Sequence, residues 1–187
     1  MSTRNTGFLV ALNGQSPRTL KDAARHLSSA SLGFIESWLS GDVASAEETS
    51  HEAFGHLDYI AGELLRQRDV KRHLAATWAA SPLKAALSVH VGRLLVEATA
   101  QDLELLQAQQ RGVGEFPVGA TPVSLNLEKA LTKLKHRDTV AVNFVVALPR
   151  AHLLYSVTTG GMGQAVSVAE VDITELCNAC KSASAHV

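Results

Sequence analysis

RGVGEFPVGATP, from Arg111 to Pro122, places three glycines and two prolines in twelve residues. It separates two stretches with different hydrophobic periods. Before it, apolar residues recur at helical spacing; after it, they mostly alternate. Neither a helix nor a strand passes through such a run, because glycine is loose in backbone conformation and proline lacks a donor. The reading is therefore a helical arm over 1–110, a connector over 111–123, and a small α+β segment over 124–187.

In the arm, Leu20, Ala23, Ala24, Leu27, Ala30, Phe34 and Trp38 follow one helical stripe up to Ser40-Gly41. Asp42 is a good N-cap for a second helix from about 43 to 67. Its stripe is Val43, Ala46, Ser50, Phe54, Leu57, Ala61 and Leu64. A short third helix spans about 69–80, with Leu74 and Trp78 at i, i+4. Ser81-Pro82 opens a fourth helix reaching about 109, with Leu83, Leu87, Val91, Leu94, Ala98 and Leu105 along its apolar face. Aromatic residues are only 5 % of the chain, which favours helices packed through small and aliphatic side chains.

Past the connector, 125–135 reads as a short helix. DTVAVNFVVAL follows, with Val140, Val142, Phe144, Val146 and Leu148 on one face. Pro149-Arg150 turns into HLLYSVTT, where Leu153, Tyr155 and Val157 share a side. Gly160-Gly161 turns again into AVSVAEV. Asp172 and Glu175 form a capping box for a last helix. The predicted class is α+β: an antiparallel helical bundle or TPR-like helical hairpins, then a small antiparallel three-stranded β region and a C-terminal helix.

The succession LEKALTKLKHRDTVAVNFVV, HLLYSVTTGG, AVSVAEVDITELCNAC resembles the opening of a CHAT domain, the caspase- and separase-like module often found after TPR helices. The resemblance rests on element order and on residues such as Asp138-Thr139. It implies a leading, non-catalytic region that serves partner recognition or regulation. The family's His/Cys protease dyad belongs to a later, glycine-rich part of the domain and is expected downstream of Val187, if the chain continues. No catalytic residue is carried over.

His51, Glu52 and His56 in HEAFGH are the most metal-like motif. In H-E-x-x-H the histidines share a helical face and the glutamate acts as base. Here the histidines are five apart and diverge by about 140° on a regular helix. One metal could bridge them only across a π-bulge. The hexapeptide resembles the H-E-x-x-G-H form of the dipeptidyl-peptidase III family, which implies a further glutamate ligand; Glu97 is the loose analogue. The bland alternative is a solvated helix surface, and Glu52 does fall opposite the apolar stripe.

Cys177 and Cys180 read as buried helix cysteines rather than a redox pair or half a zinc site, since no second pair and no activating base accompany them. His90 reads as a hydrogen-bonded core histidine. TTGGMG precedes a strand, so it reads as a hairpin turn and not as a phosphate cradle at a helix N-terminus.

With a net charge of −1, nothing supports nucleic-acid binding. No apolar run has the length of a membrane span, and two cysteines are too few for a disulfide framework. The expectation is a cytoplasmic, non-catalytic interaction or regulatory module without cofactor. It would meet a protein partner or a second copy through a β edge or a helical face, with Val140, Val142, Phe144, Leu153, Tyr155 and Val157 at the contact. The alternative is a small zinc hydrolase built on HEAFGH.

Overall fold

Thr19 starts the first helix by accepting the Asp22 backbone N–H at 3.0 Å. A computed structural model describes this and the rest of residues 19–137, 143–147, 151–158 and 166–187. The apolar segment 8–12, the face positions Val140, Val142 and Leu148, and the turns expected at Pro149-Arg150 and Gly160-Gly161 lie outside the described residues.

Helix α1 (Leu20–Ser40) ends at Gly41, whose φ of 81° is the left-handed cap that glycine adopts without a side-chain penalty. Asp42 immediately caps α2 (Val43–Arg72) through the Ser45 N–H. The tight Gly41-Asp42 link makes α1 and α2 a helical hairpin. Leu20, Ala23, Ala24 and Leu27 bury against Leu57, Ile60, Ala61 and Leu64. The stripe predicted for α2 needs correction at three places, Ser50 being exposed along with two apolar positions. Val43 and Phe54 are 59 % and 45 % exposed, because α1 and the elements beyond it cover the wheel only on the Leu57/Ile60/Leu64 side. α2 also absorbs the start of the expected third helix, leaving the single turn α3 (Ala75–Trp78).

The predicted fourth helix is not one helix. It divides into α4 (Pro82–Leu87), strand β1 (His90–Leu95) and α5 (Ala100–Ala108). Val89, Val91 and Gly92 break the helical run where β-branched side chains fit a pleat, and Thr99 with Asp102 forms a complete capping box that restarts a helix. The expected three strands are correspondingly five among the described residues. β2 (Val123–Asn126) precedes α6 (Leu127–Lys135), which Asn126 caps. β3 (Phe144–Ala147), β4 (Ala151–Thr158) and β5 (Ser167–Asp172) follow, then α7 (Ile173–Ser184) capped by Asp172. The class is α+β.

The sheet order is β2-β1-β5-β4-β3, antiparallel at each pairing. Arg93 and Tyr155 both lie opposite Glu170, and Leu94 lies opposite Ala169. Strand alternation therefore sends two sets of side chains to two faces. Leu94, Leu125, Leu154, Ala169 and Val171 meet the helices in one core, where Leu27 and Leu64 of the hairpin join Leu131 of α6 and Leu176 of α7. Leu95, Tyr155, Val157 and Val168 meet Leu106 of α5 and Phe116 of the connector in a second core.

Asn143 fixes the connector. Its Oδ1 accepts the Gly112 N–H at 3.2 Å, and its Nδ2 donates to the Gln110 carbonyl at 3.0 Å. The Gly114 N–H then donates to the Phe144 carbonyl, and the Val146 N–H to the Gly112 carbonyl. The outer edge of β3 is thus bonded by the chain's own connector.

Candidate functional site

The residues predicted to carry chemistry are not brought together. α2 is α-helical throughout, without a π-turn that would realign His51 with His56. His51 and Glu52 are exposed, while His56 is half-buried, stacked on His26 with ring centroids 5.0 Å apart. Burial, then the neighbouring His26, holds the His56 pKa below the ordinary histidine value. Glu97 is an exposed residue just beyond β1. Among the described residues no group of three His, Cys, Asp or Glu side chains is placed to hold a metal ion. His51, His56 and Glu97 therefore do not fit a zinc centre.

Cys177 and Cys180 are free and buried inside α7. Burial pushes the Cys177 thiol up to about 12 and raises Cys180 further from its ordinary value. Neither is a thiolate at neutral pH, so neither is a nucleophile. His90 is exposed rather than a core histidine, with Nδ1 2.8 Å from Ser124 Oγ. Of the expected contact residues, Phe144 sits on edge strand β3, but Tyr155 and Val157 are buried in the second core with Leu153 packed against it. They hold the connector and α5 to the sheet.

Two polar constellations in the fold were not anticipated. On the connector face, Glu170 is only 5 % exposed. The Arg93 guanidinium donates to both its carboxylate oxygens at 2.6 Å, and the Tyr155 hydroxyl donates to Oε2 at 2.7 Å. Arg93 also lies 5.3 Å from the Phe116 ring centroid, and Phe116 meets Tyr155 edge-on. Burial, followed by the Glu170 hydrogen bond, raises the Tyr155 pKa. Every charge here is paired, and the cluster ties β1, β4 and β5 together. On the opposite, helix-bearing face, Lys133 Nζ lies 2.6 Å from Ser167 Oγ. Burial lowers the lysine pKa, the arrangement of a Ser/Lys pair, but Ser167 is only 2 % exposed.

The second constellation is a cavity of about 290 Å³ between the α1–α2 hairpin and the helix-bearing side of β4. Phe34, Phe54, Leu57 and Leu154 give it an apolar wall. Phe34 stacks on His152 at 5.0 Å, and Phe144 meets Phe34 and Trp38 edge-on. Polar groups converge on it: Ser31, Arg111, Arg137, Asn143, His152 and Ser156. His152 Nδ1 is 2.7 Å from Ser31 Oγ, and burial lowers the imidazole to about 4. Arg137 donates from Nη1 to Asp58 at 2.9 Å and to the Leu134 carbonyl, and lies 3.8 Å over the Phe54 ring. Arg137 Nε and Ser156 Oγ are buried without a hydrogen-bond partner among the described residues.

Sequence reading missed these groups because their partners are remote. Ser31 and His152 are 121 positions apart, and a serine on a helix or a histidine in a strand carries no pattern of its own. Phe34 and Phe54 held the usable signal, aromatics on predicted buried stripes. No family model, curated protein or solved structure matches the chain.

Proposed function

We propose that this chain is a non-catalytic binding module whose ligand site is the cavity between the α1–α2 hairpin and β4. The composition of the cavity wall supports this. A concave, mostly apolar site with a few convergent polar groups is the usual form of a small-molecule site, and a volume of about 290 Å³ suits a small ligand. The groups that would perform chemistry there are muted. Acid–base catalysis wants a group titrating near the working pH, whereas the His152 imidazole sits at about 4. Its partner Ser31 is 7 % exposed. The regulatory role implied by the CHAT resemblance agrees with a binding rather than a catalytic site.

A ligand-observed NMR fragment screen tests the proposal. Ala53 lines the cavity from α2, so Ala53→Trp should fill it. Fragments should bind the wild type and lose binding in Ala53→Trp at an unchanged fold. An absence of hits, or hits indifferent to Ala53→Trp, overturns the cavity as a ligand site.

A protein partner at a sheet edge is a second reading, and β2 is the edge that favours it. β2 is the terminal strand on the side away from β3, and Val123 there is 48 % exposed. A lysine on an edge strand blocks pairing with another chain. Val123→Lys should therefore weaken partner binding; unchanged binding would remove β2 from consideration.

A further inference from the structure

We infer that the cavity takes a small monocarboxylate with an apolar or aromatic body, its carboxylate placed against Arg137 and Ser156. This rests on the proposal that the cavity is a ligand site. Two features of the wall give the charge. It carries the Arg137 guanidinium and, among the described residues, no carboxylate. Its two buried polar atoms without partners, Arg137 Nε and Ser156 Oγ, are an N–H donor and a hydroxyl. Both are suited to an acceptor, and a buried donor left unmade costs more than a hydrogen bond gains. A carboxylate oxygen would answer both, and a charge-assisted bond from a guanidinium is stronger than a neutral one.

Asp58 does not cancel this. It occupies Nη1 of Arg137, its own side chain is 57 % exposed, and it is not part of the cavity wall. The Phe54 ring beneath the guanidinium holds it in one plane. His152 adds no charge at neutral pH. The remainder of the wall gives the body of the ligand. Phe34, Phe144, Leu27 and Leu154 offer aromatic and aliphatic surface and few donors. A dianionic phosphate would be stripped of water there with too few groups to replace it, whereas a single carboxylate needs about the number present.

Isothermal titration of the full chain with phenylacetate, hexanoate, their two amides and inorganic phosphate decides the matter. At least one acid should bind tenfold or more tightly than its amide, and 0.5 M NaCl should narrow that gap. Arg137→Gln and Ser156→Ala should each erase most of the acid-over-amide preference while leaving amide binding within about twofold. Ser156→Ala removes only an oxygen, so it keeps the test valid if Arg137→Gln fails to fold. Equal binding of acid and amide overturns the carboxylate assignment and leaves the cavity as a neutral-ligand site. Phosphate competing as well as the acids overturns it in favour of a phosphate site. No binding by any probe, with fragments also silent, overturns the cavity proposal itself.

Discussion

The Ser31 hydroxyl lies 2.7 Å from Nδ1 of His152 and joins α1 to β4 at the wall of the cavity. Burial in the surrounding apolar wall favours the neutral ring. Asp172 is the charged neighbour that acts in the opposite direction, and it does not prevail.

Acid should therefore destabilise the fold through His152. The folded-state value, about 4, lies below the ordinary 6.5. Between those values the unfolded chain takes up a proton that the folded chain refuses, so stability is fully present above pH 6.5 and is lost as pH falls towards 4. The shift corresponds to a loss on the order of 3 kcal/mol. Urea denaturation of the wild type and of Ser31→Ala/His152→Phe, at pH 7 and pH 4.5, measures it. The double variant keeps an aromatic ring against Phe34 and should lose clearly less stability on acidification. An identical loss would mean that His152 is not the group that titrates.

The buried carboxylate of Glu170 should make its partners unequal. Arg93→Met leaves the charge with only the Tyr155 hydroxyl, and breaking a largely buried pair from one side costs about 3 kcal/mol, reduced here because the Arg93 side chain is 51 % exposed. Tyr155→Phe removes one hydrogen bond and should cost about 1–2 kcal/mol. Arg93→Met/Glu170→Met, which removes both charges, should recover most of the Arg93→Met loss. Chemical denaturation of the four proteins checks the order. A double variant less stable than Arg93→Met would show that the pair itself, rather than the uncompensated charge, holds the three strands.

Gly92 should tolerate no side chain. A Cβ built there falls 2.0 Å from the Glu170 carbonyl oxygen and 3.1 Å from the Val171 Cα, both backbone atoms of the paired strand. Neither can swing away without opening the β1–β5 ladder. Gly92→Ala should therefore lower the melting temperature by roughly 5–10 °C, on the order of a 2–3 kcal/mol overpacking cost in a domain of this size. Gly62, with nothing within 4 Å, is the control. Gly62→Ala should be neutral or slightly stabilising in its helix. Similar melting temperatures for the two variants would mean that β1 and β5 approach each other less closely.

The same glycine marks how far the sequence was legible. Asp42 and Asp172 act locally as caps and so located the starts of α2 and α7, apolar spacing located α1, and α6 lies within the expected 125–135. Leu83, Leu87, Val91 and Leu94 satisfied a helical stripe equally well while β1 ran through the last two of them. Short apolar runs fit both periods, and the side chains that decided it, Glu170 and Ser124, lie 77 and 34 positions away from their β1 partners. Val89, Val91 and Gly92 were the available hint, since a glycine among β-branched residues suggests a strand irregularity; the register does shift between His90 and Gly92. The cavity was less legible still. Its polar groups come from α1, the connector, the end of α6 and β4, and only the folded sheet brings them to one wall.

β1 also governs what a shortened chain can do. Read from the connector, residues 1–110 are a helical arm that could stand alone. In the fold, β1 hydrogen-bonds to β2 on one side and β5 on the other, and both lie beyond residue 110. Leu57, Ile60 and Leu64 share their core with Leu127, Leu131, Leu176 and Cys180. A chain ending at Gln110 would expose those hydrophobic faces and leave β1 with two open edges, too little to outweigh the entropy of ordering the helices. It should show weak helical circular dichroism, no cooperative urea transition and aggregation at micromolar concentration. Adding 111–187 as a separate polypeptide should restore a cooperative transition if the two parts reassociate. A cooperative transition for 1–110 alone, with a helical signal matching α1 and α2, would establish the hairpin as an independent domain and return the boundary to the connector.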